Sequence, residues 1–189
     1  MKRRQFLVTA LAATPAVALA ALPGLPPLPD EAAAPGPAFV VGAGVGRFRE
    51  KTLVGPNPND IKISTRDTGG ALSVFEYTGV AKGGPSLHVH LRQDEIFYVL
   101  AGEYLFVVGE ETHQLRPGDT IFLPRQVPHT WTQLTDAGKL LYWLQPAGQM
   151  EDFFRTMPTG PTPPTLEQRQ QHSLRYGMKY LGPPLPIKA

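Results

Sequence analysis

Residues 83–102 read GGPSLHVHLRQDEIFYVLAG and place His88, His90 and Glu95 within eight positions of one another. The stretch otherwise has the composition of β-strands, in which the side chains of residues i and i+2 point to the same face. His88 and His90 are therefore expected to project together. Two imidazoles and a carboxylate that converge this closely form a ligand set suited to a divalent transition metal.

A fourth candidate ligand, His129, lies in the stretch PGDTIFLPRQVPHTWTQ at residues 117–133. If the chain folds back so that His129 faces the same interior, the site consists of three histidines and one glutamate. A pair of histidines two positions apart in a strand is, on its own, more often structural or exposed. That alternative is weakened here because the glutamate and the second stretch accompany the pair.

Together the two stretches resemble the two sequence motifs of the cupin family. The first motif has two histidines, a glutamate and a glycine at fixed distances, which are matched by His88, His90, Glu95 and Gly102. The second motif is matched by Gly118, Pro124 and His129. The resemblance covers roughly residues 60–150 and implies a metal held by the three histidines and Glu95.

This sequence departs from the family pattern at three positions that are not ligands. Lys82 stands where the first motif begins with glycine, and Gly83 and Gly84 follow it. Gln126 replaces the internal glycine of the second motif, and Gln133 replaces its closing asparagine. These departures affect turn geometry and the pocket wall, and the predicted ligand set is unchanged.

The pattern between Leu53 and Pro146 predicts an all-β fold. Short segments rich in β-branched and aromatic residues alternate with turns such as DTGG at 67–70, which is typical of an antiparallel sandwich or small barrel. The resemblance selects the cupin type of double-stranded β-helix, a jelly-roll barrel. We assign residues 39–150 to this barrel and residues 151–189 to a C-terminal helical extension and tail.

Two short helices are predicted in that extension, at residues 148–157 and 165–177, and residues 179–189 are expected to form a tail. The helices are expected to cap the barrel mouth or to pack on a neighbouring subunit. His113 and His172 lie outside the motifs, in polar segments, and are expected at the surface.

Alternation along the strands predicts which side chains line the interior. If Glu95 points inward, Phe97 and Val99 do as well, and Trp131 shares the parity of His129. We expect the substrate pocket to be formed by Phe97, Val99, Phe106, Trp131 and Tyr142. The alternative for each is packing in the hydrophobic core. An aromatic lining beside the metal would suit a flat, apolar substrate.

The amino terminus has the features of an export signal. Residues 1–20 carry Lys2, Arg3 and Arg4 before an apolar stretch and end in small residues, as in a cleavable signal peptide. The sequence RRQFL at 3–7 resembles the twin-arginine consensus, with the general secretory route as the alternative. We expect a periplasmic or secreted protein in which residues 21–38 form a Pro/Ala-rich linker.

Charge and cysteine content exclude several classes of function. The formal charge of the chain is +2, and it falls to −1 when Lys2, Arg3 and Arg4 leave with residues 1–20. The mature protein therefore offers no electrostatic basis for binding nucleic acid, and no stable membrane insertion is expected after cleavage. The chain has no cysteine, which excludes thiolate nucleophiles and thiolate metal ligands. A small-molecule substrate is the expected partner, and a homodimer is plausible.

The runs HVHLRQDEIFYVLAGE and HSLRYGMKYLGPPL resemble proteins grouped with quercetin 2,3-dioxygenase. This implies a metal-dependent dioxygenase that acts on an aromatic or enolisable small molecule, with Glu95 as both ligand and catalytic base. The ligand set does not choose among Fe, Mn, Cu, Ni, Co and Zn. Two alternatives stay open: a non-catalytic periplasmic protein that binds a metal or small ligand, and a cupin isomerase or decarboxylase.

Overall fold

Two antiparallel β-sheets and two short helices make up the part of the chain that the computed structural model describes, residues 36–157 and 164–187. The predicted signal peptide and most of the predicted linker lie outside these residues. The strands are β1 (Leu53–Val54), β2 (Asn57–Ile63), β3 (Ser73–Gly79), β4 (Ser86–His90), β5 (Asp94–Ala101), β6 (Tyr104–Val108), β7 (Glu111–Leu115), β8 (Thr120–Leu123), β9 (His129–Gln133), β10 (Gly138–Gln145) and β11 (Met178–Pro184). The helices are α1 (Met150–Arg155) and α2 (Leu166–Arg175).

The strand order of the sheets confirms the predicted jelly-roll fold. The six-stranded sheet has the order β1-β2-β3-β10-β5-β8, and the five-stranded sheet has the order β11-β4-β9-β6-β7. Strands that follow one another in the chain often lie in different sheets, so that the two sheets enclose a common interior. The ligand strands β4 and β5 are thereby placed in opposite sheets, although only three residues separate them.

Alternation along β5 and β10 builds the wall of the six-stranded sheet. Phe97 pairs with Tyr142 and Glu95 with Leu144, and all four side chains are buried. The alternate residues of β5, such as Ile96 and Tyr98, face outward and are more exposed. This period-2 pattern is what a sheet with one face on the core requires.

In the five-stranded sheet, β9 lies between β4 and β6 and is buried along its whole length. Trp131 pairs with Phe106, and His88 of β4 pairs with His129. Because residues at i and i+2 share a face, this register brings His129 and Trp131 to the interior together with His88.

The two predicted C-terminal helices form. In α2, specific residues at each end explain where the helix begins and ends. Thr165 accepts a hydrogen bond from the Gln168 backbone N–H at 3.2 Å, and the Gln168 side chain accepts one from the Thr165 backbone N–H at 2.9 Å. This reciprocal capping box satisfies two backbone donors at the helix start. Gly177, at φ +75°, follows the last turn and supplies the left-handed conformation that ends a helix. Within the described ranges, neither helix is long and apolar enough to cross a membrane.

The predicted C-terminal tail is largely a strand, which corrects the sequence interpretation. Strand β11 pairs with β4, with Met178 opposite His90 and Tyr180 opposite His88. Met178 is buried and Tyr180 is half-buried. The strand therefore covers the edge that β4 would otherwise expose and places two more side chains beside the predicted metal ligands.

Candidate metal centre

The four predicted ligands meet where the two sheets face each other. His88 and His90 project from β4 and His129 from β9, whereas Glu95 comes from β5 of the opposite sheet. All four side chains are buried, with exposures between 1% and 6%. The cluster is therefore built by strand alternation within one sheet and closed by a carboxylate from the other.

Distances within the cluster are short enough for shared coordination. Oε2 of Glu95 lies 3.3 Å from Nε2 of His129 and 3.7 Å from Nε2 of His90. The ring centroids of His88 and His129 are 4.5 Å apart, and those of His88 and His90 are 5.1 Å apart. One donor atom from each of the four residues falls within 4.8 Å of all the others.

Backbone carbonyls orient two of the imidazoles. Nδ1 of His88 lies 2.8 Å from the carbonyl oxygen of Ser86, and Nδ1 of His129 lies 3.0 Å from that of Val127. A carbonyl only accepts hydrogen bonds, so the proton of each neutral ring resides on Nδ1. The Nε2 lone pair of each ring is left to ligate, as in histidines that bind metals through one nitrogen and are held by the other.

Burial also sets the protonation state of His88 and His90. Desolvation, followed by the proximity of His129, lowers the pKa of His90 to about 3. The pKa of His88 falls to about 3 for the same reasons, with a further contribution from His90. Both rings are neutral at pH 7, and neutral imidazole is the form that binds a metal.

The cluster fits a divalent transition metal. Nδ1 of His90 and Nε2 of His129 are buried without a hydrogen-bond partner among the described residues. Leaving a buried nitrogen unpaired costs free energy, and a cation bound to Nε2 of His129 would offset that cost. Metal–nitrogen bonds of about 2.1 Å place opposite ligands about 4.2 Å apart, close to the spread of donors found here. Three neutral imidazoles and one carboxylate are suitable donors for several first-row metals.

The ligands open onto an interior cavity of about 280 Å³. His88, His90 and Glu95 line one part of it, and most of the remaining wall is apolar. Aromatic side chains are prominent in this wall: Phe97, Trp131, Tyr142, Phe153, Phe154 and Tyr180. The arrangement is a buried polar cluster beside an aromatic pocket, which is typical of sites that bind small molecules.

Comparison with known proteins agrees with this geometry. Residues 76–144 match the cupin domain family (Cupin_2), and this segment contains all four candidate ligands. Residues 76–144 therefore form a cupin domain. The match runs from β3 to β10 and so covers the strands that carry the cluster.

Two curated relatives of this cupin match over longer segments. Quercetin 2,3-dioxygenase of Bacillus subtilis is 30% identical over 138 residues, which are 73% of this chain and 39% of that protein. Protein SchB of Streptomyces halstedii is 30% identical over 93 residues, which are 48% of this chain and 67% of that protein. The cupin therefore spans well under half the length of the dioxygenase.

A solved structure supports the fold alone. KdgF from a Halomonas species superposes with a TM-score of 0.50 at 21% identity, covering 61% of this cupin and 99% of the KdgF chain. The segment in common corresponds in size to the barrel rather than to the whole chain. At this identity the likeness carries no information about substrate.

The structure divides the five predicted pocket residues into two groups. Phe97, Trp131 and Tyr142 line the cavity. Val99 and Phe106 are fully buried but lie in the core and not along the cavity wall. Val99 lies further along β5 from the ligands than Phe97 does. The ring of Phe106 packs 5.1 Å from that of Phe97, and so supports the lining residue.

Sequence reasoning missed the wall that the C-terminal segments provide. From α1 and its end come Met150, Phe153, Phe154 and Met157, and from α2 and β11 come Arg169, Met178 and Tyr180. The paired Phe153 and Phe154 were a usable signal, because two large apolar residues in a short helix must be buried against something. The sequence predicted that these helices would cap the barrel or meet a neighbouring subunit, and their place in the wall agrees with the first option.

The two remaining histidines differ from one another. His113 on β7 is exposed, as expected for a surface residue, and its Nε2 lies 3.2 Å from Oε2 of Glu111. His172 is half-buried, with Nε2 3.2 Å from the carbonyl oxygen of Phe153 and its ring against that of Tyr176. The surface prediction was therefore wrong for His172, which packs α2 against α1.

Tyr142 lines the cavity and lies on β10, which pairs with the strand that carries Glu95. Its hydroxyl donates to Oδ1 of Asn59 at 2.9 Å. Burial, reinforced by the nearby Glu95, raises the pKa of Tyr142 well above its usual value. Tyr142 is therefore protonated at neutral pH, and within the described cavity wall Glu95 is the only carboxylate.

Proposed function

We propose that this cupin is a metal-dependent oxidoreductase, a dioxygenase that acts on an aromatic or enolisable small molecule. The observation that carries the proposal is a buried cluster of three histidines and one glutamate opening onto a cavity walled by aromatic rings. The 30% identity to a protein named quercetin 2,3-dioxygenase favours dioxygen chemistry over the alternatives of isomerisation or decarboxylation.

His88, His90, His129 and Glu95 are the residues that would hold the metal. A divalent transition metal bound there would supply Lewis acidity and open coordination positions for substrate oxygen and dioxygen. The proposal leaves the choice among iron, manganese, copper, nickel, cobalt and zinc to elemental analysis.

Glu95 is proposed to be the catalytic base. It is the only carboxylate of the described cavity wall, and Tyr142 is held in its protonated form. Oε2 of Glu95 faces the histidines, so we assign Oε1 as the atom that receives the substrate hydroxyl proton. Proton transfer to a carboxylate within hydrogen-bond reach is a common contribution to catalysis, of about 10²- to 10⁴-fold.

The aromatic wall is proposed to orient a planar substrate and exclude water. The rings of Phe97 and Tyr142 stack at 4.9 Å, and that of Trp131 lies 6.1 Å from Phe97 at an angle of 67°. These rings are nearly fully buried and have packed neighbours, so they are held in place before a ligand binds. A flat ligand would gain contact area with little loss of side-chain freedom.

The test is elemental analysis combined with oxygen uptake. We expect about one transition metal per chain, and oxygen consumption with at least one member of a panel of flavonols, catechols, enediols and hydroxylated aromatic acids. Glu95→Gln should retain fold and abolish uptake, and His129→Ala should lose the metal. His113→Ala is the matched control, because that histidine is exposed and outside the cluster.

The same experiment separates the enzyme from a binding protein. Metal and ligand binding without oxygen uptake for any compound would contradict the dioxygenase and favour a non-catalytic cupin. Absence of metal from protein purified from its native source would also contradict the proposed chemistry.

We also propose export by the twin-arginine route and action in the periplasm, on the sequence of residues 1–20 alone. Replacing Arg3 and Arg4 with lysine should retain the precursor in the cytoplasm, as cell fractionation would measure. Processing that is unchanged in this variant would indicate the general secretory route.

A further inference from the structure

Arg169 of α2 lies at the junction of two cavities. The inner cavity contains the metal ligands, and a second groove of about 580 Å³ lies outside it. Four residues line both: Ser86, Arg169, Tyr180 and Pro184. These residues form the wall that the inner cavity and the outer groove share, and Arg169 is the one permanent cation among them.

The guanidinium of Arg169 has no partner within the described part of the chain. Its Nε is buried without a hydrogen-bond acceptor, and no carboxylate there forms an ion pair with it. Three other arginines do have such partners: Arg47 with Asp67, Arg125 with Asp94 and Arg155 with Glu50. A guanidinium with a buried, unpaired donor is costly to maintain, and an anionic ligand would offset that cost.

The charge of the inner cavity favours an anion. Glu95 is its only carboxylate in the described wall and belongs to the metal cluster. A divalent ion bound by the neutral histidines and Glu95 would give the cluster a net charge of about +1. Arg169 adds a second positive charge. Glu167, the nearest acid on α2 in sequence, lines the outer groove and not the inner cavity.

We infer that the substrate carries a carboxylate, which binds the guanidinium of Arg169 while the hydroxyl or enol oxygen at its other end faces the histidines and Glu95. Phe97, Trp131 and Tyr142 then lie along the ring between the two ends. Arginine is the side chain whose planar donors match a carboxylate in a two-point contact. The inference rests on the proposed function and narrows the substrate class to hydroxylated aromatic or enolic acids.

The test uses binding, so that it does not depend on turnover. The full chain is titrated calorimetrically, with and without bound zinc, with hydroxylated benzoates and cinnamates and with the methyl ester of each acid. We expect at least one acid to bind tenfold or more tightly than its ester. In Arg169→Gln this preference should disappear, and in Arg169→Lys it should persist in part.

Arg175→Gln is the matched control, because Arg175 lies on the same helix but is exposed and lines neither cavity. Its preference for the acid should equal that of the wild type. Circular dichroism and zinc content confirm that each variant is folded. Equal affinities for every acid and ester, or a preference that survives in Arg169→Gln, would overturn the inference. Preferential acid binding without oxygen uptake would instead contradict the dioxygenase and leave this inference standing.

Discussion

Glu95 and His129 face each other across the barrel, with Oε2 of Glu95 3.3 Å from Nε2 of His129. Glu95 belongs to β5 of the six-stranded sheet and His129 to β9 of the five-stranded sheet. A metal bound by both residues therefore links the two sheets directly. Such a metal would affect the stability of the barrel as well as the chemistry of the site.

Metal binding should stabilise the fold. A ligand that binds only the native state at one hundred times its dissociation constant raises the free energy of unfolding by about 2.7 kcal/mol. We expect the Tm of chelator-treated protein to rise on addition of zinc or cobalt, as measured by circular dichroism. His129→Ala should show little of this rise and His113→Ala all of it. An equal rise in both variants would place the ion elsewhere.

The metal-free protein should lose stability as the solution becomes acidic. The pKa values of His88 and His90 are lowered to about 3 in the folded state, whereas an unfolded histidine titrates near pH 6.5. The unfolded state therefore binds more protons between about pH 3 and pH 6.5, and the free energy of unfolding falls as pH falls through this window.

Urea unfolding in the presence of chelator, between pH 5 and pH 6.5, measures this slope before most carboxylates titrate. Replacing both His88 and His90 with glutamine should make the slope shallower, whereas His113→Gln should leave it unchanged. A slope unaffected by the double replacement would show that other groups dominate the acid sensitivity.

Gly84 should not tolerate a side chain. A Cβ atom there would lie 1.8 Å from the carbonyl oxygen of Trp131, and a hydrogen bond of 2.9 Å from the Gln133 N–H to the Gly83 carbonyl fixes the segment. We expect Gly84→Ala to lower the free energy of unfolding by at least about 2 kcal/mol, within the range for overpacked sites. In the control Gly42→Ala the Cβ meets nothing within 4 Å. Comparable stability of the two variants in urea would contradict the close approach.

Arg155 should anchor the helix that closes the cavity. Its Nη2 lies 2.6 Å from Oε1 of Glu50 and 2.9 Å from Oε2 of Glu151. Glu151 is buried and also accepts a hydrogen bond from the Ser64 hydroxyl. Arg155→Met leaves Glu151 without its cation. We expect a loss of about 2 kcal/mol, less than for a fully buried pair because Arg155 is partly exposed.

Arg125→Met is the comparison for this prediction, since it removes an exposed pair with Asp94 and should cost markedly less. The free energy of unfolding of both variants is measured in urea. Their ligand affinity is measured by calorimetric titration with the hydroxylated benzoates and cinnamates. Because α1 lines the cavity, Arg155→Met should also weaken ligand binding. Equal effects of the two substitutions would show that the Arg155 pair does not anchor α1.

Two departures from the cupin motifs are explained by local backbone geometry. Lys82 replaces the leading glycine, and the next residue, Gly83, adopts φ +122°. Gln126 replaces the internal glycine and itself adopts φ +66°, while its N–H donates to the carbonyl oxygen of His90 at 2.8 Å. The turn is thus retained at some conformational cost, because glutamine rarely occupies the left-handed region.

The candidate ligand cluster and the fold class were predictable from the sequence, because both depend on spacing along the chain. His88 and His90 lie two residues apart in a strand and must share a face, and the alternation around Phe97 assigns its neighbours to core or solvent. The composition between turns then defines many short strands. The same local rule overestimated the pocket, since it shows that Val99 and Phe106 point inward but not how far each lies from the metal ligands.

What only the tertiary structure decided is how distant segments close the site. The segment after Gly177 was expected to be a tail, yet it pairs with β4 because that edge of the sheet is available to it. Helix α2 carries Arg169 to the wall of the cavity through contacts with β11 that no local pattern records. Spacing along the chain therefore determined the candidate metal ligands, whereas packing between remote elements determined the chemistry of the cavity around them.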